Sequence, residues 1–331
     1  MLMFGENPVS RLGEKHLISR ICGAFGAVCP PAPFGSGDDC ALIESKTLSK
    51  NVYITVDSVI ANRHFTETDA PELVGQKLLK RNISDIASMG ARPKKAVCAA
   101  VISPDLSIDW LDGFARGLAD CAAEYGVEIV GGDIASPDVA HFFSMSLTLL
   151  GDANLPPLRR GGAGEGDALY TTGRLGFSFE SGRHLTFEPR VEQGVWLAEW
   201  NAAGKTSKIT ACTDISDGIA ADISNVLPPG LRAVLDASAV PCAEFNGRIS
   251  LEKALCDGED YELLFSLSAA SERDVSEFEA EYAARFGMPP FRIGKVCQKL
   301  GSTGARLWIF DGEKEKPFSK NGFEHAHSSA D

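Results

Sequence analysis

Seven aspartates that stand at breaks between apolar segments constrain this chain more than any other feature. Three of them follow runs that predict buried strands, at residues 52–56, 128–132 and 209–213. A carboxylate at the end of a buried strand does not stay both charged and dry without a counter-cation. No Lys or Arg follows any of the seven three or four positions later, so ion pairs along one helix do not supply that cation. The seven are Asp38, Asp39, Asp57, Asp85, Asp133, Asp214 and Asp217.

Many carboxylates with few basic neighbours predict a site for a hard divalent cation such as Mg²⁺. Asp85 lies near the C-terminal end of a predicted helix, where the macrodipole disfavours an unpaired anion. Asp214 and Asp217 flank a predicted change from strand to helix, so both can face one cavity. Structural roles stay open for single members, because Asp217 is placed as a helix N-cap and Asp38 as an Asx-turn residue. No His or Cys clusters beside these acids, which favours Mg²⁺ over zinc.

Two helices of the first half have clear sequence signals. The apolar residues of 71–89 repeat at helical spacing, and Lys77 falls within their stripe. Pro71 stands in the first turn of this helix, where proline is favoured. Ser107 is placed as the N-cap of the second helix, and Gly126 closes it.

The order of elements predicts an α/β (α+β) protein with two mixed α/β domains. A chain of 331 residues exceeds the ~250–300 residues at which single cores stop growing. The Gly- and Pro-containing segment 151–158 is the best linker candidate. We therefore expect domains at residues 1–152 and 153–331.

Charge and cysteine usage restrict the class of protein. The net charge of −13 argues against nucleic acid and anionic membranes as partners. An anionic substrate would need metal ions or a local basic patch. Nine cysteines without C-x-x-C spacing predict free thiols in a reducing compartment. With no apolar run near ~18 residues and no secretory signal, we expect a cytoplasmic protein.

Three further residues have both a functional and a structural interpretation, and the sequence leaves both open. Arg160 lies in a glycine-rich loop that could contact a nucleotide phosphate or form only a turn. His64 follows the strand of Asp57 closely enough to bind a ligand, although a lone histidine is usually a packing or surface residue. Glu259 opens an acidic run that could face a substrate or form a charged turn. The chain has no Walker A loop, because Gly204-Lys205-Thr206 lacks the earlier glycine.

Taken together, the motifs resemble one family, the thiamine-monophosphate kinases of the aminoimidazole ribonucleotide synthetase-like superfamily. Their order covers nearly the whole chain. They are Gly-Asp-Asp-Cys-Ala-Leu (37–42), Thr-Val-Asp (55–57), His-Phe (64–65), Asn-Ile-Ser-Asp-Ile-Ala-Ser-Met-Gly-Ala (82–91), Gly-Gly-Asp (131–133), Asp-Ile-Ser-Asp-Gly (214–218), Gly-Glu-Asp-Tyr-Glu-Leu (258–263) and Gly-Phe (322–323).

The resemblance implies ATP-dependent phosphorylation of thiamine monophosphate to thiamine diphosphate with several Mg²⁺ ions. It also implies a homodimer paired through residues 1–152, which would bind Mg²⁺ and ATP, while residues 153–331 complete the ATP and substrate site. The acceptor is a phosphate, already anionic near neutral pH, so no general base and no catalytic side chain is expected. The implied metal ligands are Asp39, Thr55, Val56, Asp57, Asp85, Asp133, Asp214 and Asp217. The implied ATP contacts are Gly132, Asp133, Arg160 and Ser216, and the implied contacts with the thiamine moiety are His64, Glu259 and Phe323.

Some positions depart from the family pattern. Arg63 precedes His64 where an uncharged residue is usual, Ile134 stands where Thr is common, and Asp257 replaces a glycine. These departures leave the aspartates intact and bear on the acceptor. Two alternatives stay open, namely another ATP-using synthetase of the superfamily and a non-catalytic nucleotide-binding paralogue.

Overall fold

The N-terminal half is one five-stranded sheet with two helices on one face. The computed structural model describes His16, Ser19, residues 31–34, 37–43, 50–299 and 305–320, and Gly322. The strands are β1 (Ala41–Ile43), β2 (Asn51–Ile60), β3 (Arg92–Ile102), β4 (Glu128–Ala135) and β5 (Phe143–Ala153), and the helices are α1 (Pro71–Ser88) and α2 (Ile108–Tyr125). The strand order is β1-β2-β5-β3-β4, and only the β3–β4 pair is parallel.

Both helices predicted in this half are confirmed. The Ser107 hydroxyl accepts from the Trp110 backbone N–H at 3.3 Å, and Gly126 closes α2 in the left-handed conformation at φ 65°. The two helices approach closely, because a Cβ on Gly117 would lie 1.9 Å from the Glu72 carbonyl oxygen. Helix α1 therefore lies between α2 and the sheet, and most residues of α1 are buried.

No described residue covers the opposite face of this sheet, here called the bare face. Every residue of β4 is exposed, and β4 forms an open edge of the sheet. The exposed apolar side chains of this face include Val56, Val97 and Val101. The expected strand ends at Asp57 and Asp133 are wrong, because β2 continues to Ile60 and β4 to Ala135. Asp57 points toward α1, where Arg81 pairs with it, and Asp133 lies on the uncovered face, so neither acid ends its strand.

The C-terminal half is a seven-stranded sheet covered on both faces. Buried apolar clusters lie on its two sides, and every residue of its strand 168–171 is buried. Strands and helices follow the chain as β6 (Ala168–Thr171), α3 (Arg183–Thr186), α4 (Val191–Ala202), β7 (Lys208–Asp214), α5 (Ile219–Val226), β8 (Leu231–Asp236), β9 (Glu244–Phe245), β10 (Arg248–Ile249), α6 (Leu251–Cys256), β11 (Leu263–Ser268), α7 (Glu272–Phe286), β12 (Phe291–Gln298), β13 (Leu307–Phe310) and β14 (Glu315–Pro317). The strand order in the sheet is β14-β13-β8-β12-β6-β11-β7, with β13–β8 the parallel pair.

Two sheets with packed helices confirm the mixed α/β class. The expected boundary at residue 152 falls one residue before the end of β5, and it stays a prediction. Among the described helices, none combines the length and the apolar character needed to cross a bilayer.

Candidate active site

Three aspartates from distant parts of the chain converge between the two halves. Asp39, Asp85 and Asp214, here called the aspartate group, each offer an oxygen, and these oxygens lie within 4.8 Å of one another. Asp39 precedes β1, Asp85 lies in the last turn of α1, and Asp214 ends β7. Ser84 connects α1 to β7, because its hydroxyl donates to the Asp214 carboxylate at 2.7 Å. Chain segments 130 residues apart thus meet at one point.

The aspartate group has more negative charge than its neighbours neutralise. Burial, followed by the charge of Asp214, raises the pKa of Asp85 well above its ordinary value. Burial and the charge of Asp39 raise the pKa of Asp214 to about 7. Thr55 donates to Asp85 at 2.6 Å, and Arg160 forms an ion pair with Asp39. The buried Asp39 Oδ2 has no hydrogen-bond donor among the described residues. Buried oxygen donors with excess negative charge are suited to a hard cation.

Asp57 and Val56 lie next to this group on β2. Asp57 is close enough to Asp85 for its charge to raise the pKa of that carboxyl. It also pairs with the buried Arg81 at 3.2 Å. The Val56 side chain points to the bare face and is 60% exposed, so only its backbone could contribute a ligand.

Asp217 and Ser216 lie in the turn between β7 and α5. The expected N-cap role of Asp217 is wrong, because Gly218 occupies the cap position and no side chain caps the helix there. The Asp217 N–H instead donates to the buried Asp222 carboxylate at 2.9 Å. Gly322 lies against this turn, since an added Cβ would be 2.3 Å from the Asp217 carbonyl oxygen. The next residue, Phe323, lies outside the described residues.

Gly132 and Asp133 are placed apart from the aspartate group. Both lie on the edge strand β4, which β3 and β5 separate from β2. Strands lie about 4.8 Å apart, so three spacings separate Asp133 from the strand of Asp57. Asp133 is exposed and is not part of the three-carboxylate group found among the described residues. The ATP and metal roles of Gly132 and Asp133 stay predictions.

A second set of acids lies in the turn before β11, and each member has its own base. Glu259 pairs with Lys77, Asp260 with Arg183, and Glu262 with Arg190. We call Glu259, Asp260 and Glu262 the paired group; all three are buried. Sequence reasoning did not identify their three bases. Lys77 gave one signal, because a lysine within an apolar stripe needs a buried partner.

The turn that carries Glu259 has an unusual backbone. Gly258, Glu259 and Tyr261 have φ values of 69°, 56° and 51°. A side chain at Gly258 would place its Cβ 2.7 Å from the Ser216 carbonyl oxygen. The Glu259 N–H donates to that oxygen at 2.7 Å, and the Tyr261 N–H donates to Ile215 at 2.9 Å. A non-glycine residue in the left-handed conformation is strained, and it is retained only where the surrounding structure holds it. Such residues are often found at functional sites. The turn therefore joins the paired group to the segment after Asp214.

His64 is buried beside the same acids. The Ile60 N–H donates to His64 Nδ1 at 3.0 Å, which leaves the ring proton on Nε2 in the neutral form. The Lys77 ammonium donates to the His64 carbonyl oxygen at 2.7 Å. Because Lys77 also pairs with Glu259, the structure brings together the two described residues expected to contact an acceptor.

A cavity of about 370 Å³ opens beside the aspartate group. Its lining includes Gly37, Asp38, Arg159, Arg160 and Asn225. Burial raises the pKa of Asp38 to about 6. Since Arg160 also pairs with Asp39, one end of the cavity reaches the aspartates. This cavity is suited to an anionic ligand whose other end lies at the aspartate group.

The chain is similar to known proteins over nearly its whole length. The profile of the AIR synthase related protein, N-terminal domain, matches residues 37–153. A thiamine-monophosphate kinase of Rhodopirellula baltica is 33% identical over 314 residues, covering 90% of this chain and 93% of that protein. The solved structure of AaThiL complexed with AMPPCP and TMP has a TM-score of 0.76 and 25% identity, covering 97% of this chain and 100% of that one. The thiamine-monophosphate kinase structure from Stenotrophomonas maltophilia has a TM-score of 0.62 and 26% identity, covering 90% of this chain and 96% of that one.

Proposed function

The chain belongs to the thiamine-monophosphate kinase family, and on that basis we propose that it transfers a phosphoryl group from ATP to thiamine monophosphate, forming thiamine diphosphate. The similar structure complexed with AMPPCP and TMP supports ATP and thiamine monophosphate as the two substrates. The observation that carries this proposal within the molecule is the convergence of Asp39, Asp85 and Asp214. A cytoplasmic location, expected from the cysteine usage, stays part of the proposal.

The aspartate group would hold Mg²⁺. The fit rests on the all-oxygen donor set, on the burial-raised pKa of Asp85 and Asp214, and on the unsatisfied Asp39 oxygen. Bound there, Mg²⁺ would neutralise charge on the phosphates. The further ligands implied by the resemblance are Thr55, Val56, Asp57, Asp133 and Asp217.

The protein groups would bind and orient two anionic substrates. Arg160 would contact ATP phosphates from the 370 Å³ cavity, together with Ser216 in the turn after β7 and with Gly132 and Asp133. His64, Glu259 and Phe323 would contact the thiamine moiety. The acceptor phosphate is itself an anion, so no proton has to be removed from it. The proposed mechanism therefore uses no general base. Positioning and charge neutralisation would account for the catalysis.

We also propose a homodimer formed through the N-terminal sheet. The bare face carries several apolar side chains, and the edge strand β4 leaves backbone groups unpaired by a neighbouring strand. Contiguous apolar surface beside an open edge is a common mark of a protein interface. Sedimentation of the purified protein tests this, with a single-chain mass at micromolar concentration as the contrary result.

An assay with ATP, Mg²⁺ and thiamine monophosphate tests the reaction. We expect thiamine diphosphate and ADP in equal amounts, and no product when EDTA replaces Mg²⁺. Tight ATP binding without product would instead support a non-catalytic nucleotide-binding paralogue. Phosphate release that depends on a different acceptor would support another synthetase of the superfamily.

A further inference from the structure

Lys77 is a charged side chain in a position where stability alone favours an apolar one. It lies on the stripe by which α1 packs into the molecule, and its side chain is 0% exposed. Burial lowers the pKa of Lys77, while the charge of Glu259 acts in the opposite direction. A buried ion pair usually contributes less stability than apolar residues of the same volume. Another reason for keeping the pair is therefore needed.

The contacts of Lys77 supply that reason. Its ammonium pairs with Glu259 and donates to the His64 carbonyl oxygen at 2.7 Å. It also lies 5.5 Å from the ring centroid of Phe179. These three groups come from the loop after β2, the turn before β11 and the loop before α3. One ammonium thus connects three loops that come from both halves of the chain.

Glu259 has a particular need for such support. Its carboxylate is completely buried, and its backbone is in the left-handed conformation at φ 56°. Among the described residues, Lys77 is the one base that forms an ion pair with its carboxylate, and neither oxygen has a hydrogen-bond partner. Without the ammonium, this buried carboxylate would have no ion-pair partner among the described residues, and no hydrogen bond would hold its orientation.

We propose that Lys77 is a positioning residue of the acceptor site, where its ammonium fixes the Glu259 carboxylate and the His64 peptide in the arrangement that binds thiamine monophosphate. The proposal rests on the proposed function, because it assumes that His64 and Glu259 contact the acceptor. Lys77 acts through these two residues and not on the transferred phosphoryl group. Its loss is therefore expected to weaken acceptor binding more than ATP binding.

The test compares Lys77→Met with Lys80→Met in steady-state kinetics. Lys80 lies one turn away on the same helix, is 4% exposed and pairs with Glu188 at 2.7 Å, outside the acceptor site. We expect Lys77→Met to raise the KM for thiamine monophosphate about tenfold, or ~1.4 kcal/mol, and the KM for ATP less than about twofold. Lys80→Met should leave both KM values unchanged. Equal changes in the two KM values, or none in a folded Lys77→Met protein, would overturn the proposal.

A double variant carries the test if Lys77→Met does not fold. Lys77→Met/Glu259→Gln removes both buried charges, so no uncompensated carboxylate stays behind. Because Lys77 acts through Glu259 and the His64 peptide, the double variant should have an acceptor KM at or above that of Glu259→Gln alone, with the KM for ATP unchanged. A return to the wild-type acceptor KM, or an equal rise in the KM for ATP, would refute the role. Failure of the proposed function is distinguishable, because the wild-type protein itself would then form no thiamine diphosphate.

Discussion

The molecule contains two groups of three buried or half-buried acids, and their surroundings differ. Each acid of the paired group has its own Lys or Arg partner. Among the described residues, only Arg160 forms an ion pair with an aspartate of the other group, through Asp39. The paired group has one positive charge for each acid, whereas the aspartate group has fewer positive charges than acids. Composition alone does not separate an acid neutralised within the protein from a candidate metal ligand, but the number of opposite charges around it does.

The largest expected effect comes from changing the aspartate group. Asp85→Asn should lower kcat roughly 10²–10³-fold, because it removes a proposed metal ligand. The same change should not lower the melting temperature of the metal-free protein, since it relieves repulsion among buried carboxylates. Calorimetry in EDTA and a product assay measure the two effects.

The control for this change is Asp167→Asn. Asp167 is a buried aspartate outside both groups that accepts from the Thr210 hydroxyl at 2.6 Å. Its replacement should keep kcat. If Asp85→Asn retained full activity, the functional half of the comparison would be lost.

In the paired group, removing one base should act mainly on stability. Arg190→Met leaves Glu262, whose side chain is 4% exposed, without its cation. Because the Arg190 side chain is 30% exposed, we expect a loss of about 2–3 kcal/mol in the free energy of unfolding. Urea unfolding measures it, and Arg190→Met/Glu262→Gln should recover most of the loss. A double variant as unstable as the single one would contradict the pairing argument.

The next largest effect is expected in the pH dependence of the free energy of unfolding, through the aspartate group. Asp214 has a pKa of about 7 in the folded chain against an ordinary value of 3.8. The folded state therefore binds the proton more tightly, and metal-free stability should fall as pH rises from about 4 to about 7, by up to ~1.4 kcal/mol per unit for one group. Saturating Mg²⁺ should reduce this slope and leave the part due to Asp260, whose pKa burial raises to about 7 and which pairs with Arg183. Unfolding in EDTA and in Mg²⁺ across that range checks it; identical slopes would count against a cation site.

The smallest effect is expected at Asp257, at the edge of the paired group. Its carboxylate accepts from the Phe177 N–H at 2.9 Å and lies 3.3 Å from Lys253. Asp257→Ala should cost about 1 kcal/mol in the free energy of unfolding and change the acceptor KM less than about twofold. A large KM change would show that this departure from the family pattern contributes to acceptor binding.

The sequence predicted the elements whose ends have local chemical causes. Pro71, Ser107 and Gly126 mark helix ends through backbone geometry and capping, which depend on residues within one turn. The convergence of Asp39, Asp85 and Asp214 was predicted as a set, since buried anions must share a cation. The partners of Glu259, Asp260 and Glu262 were not predicted. They lie more than 70 residues away along the chain, and long-range pairing leaves no local pattern.

The expected ends of β2 and β4 failed for another physical reason. An acid after an apolar run was interpreted as the end of a strand. Asp133 lies on the uncovered face of a strand that continues to Ala135, whereas Asp57 faces α1, where Arg81 supplies a counter-charge within a strand that continues to Ile60. Whether a face is covered depends on tertiary and quaternary packing, which the period of apolar residues does not specify.

In the proposed dimer, the bare face of the N-terminal sheet would link folding to the amount of protein present. If a second copy covers Val56, Val97 and Val101, association adds to the stability of the folded state by mass action. Dilution would then lower the melting temperature even though no intramolecular contact changes. Newly synthesised chains at low abundance would be the least protected against aggregation through the β4 edge.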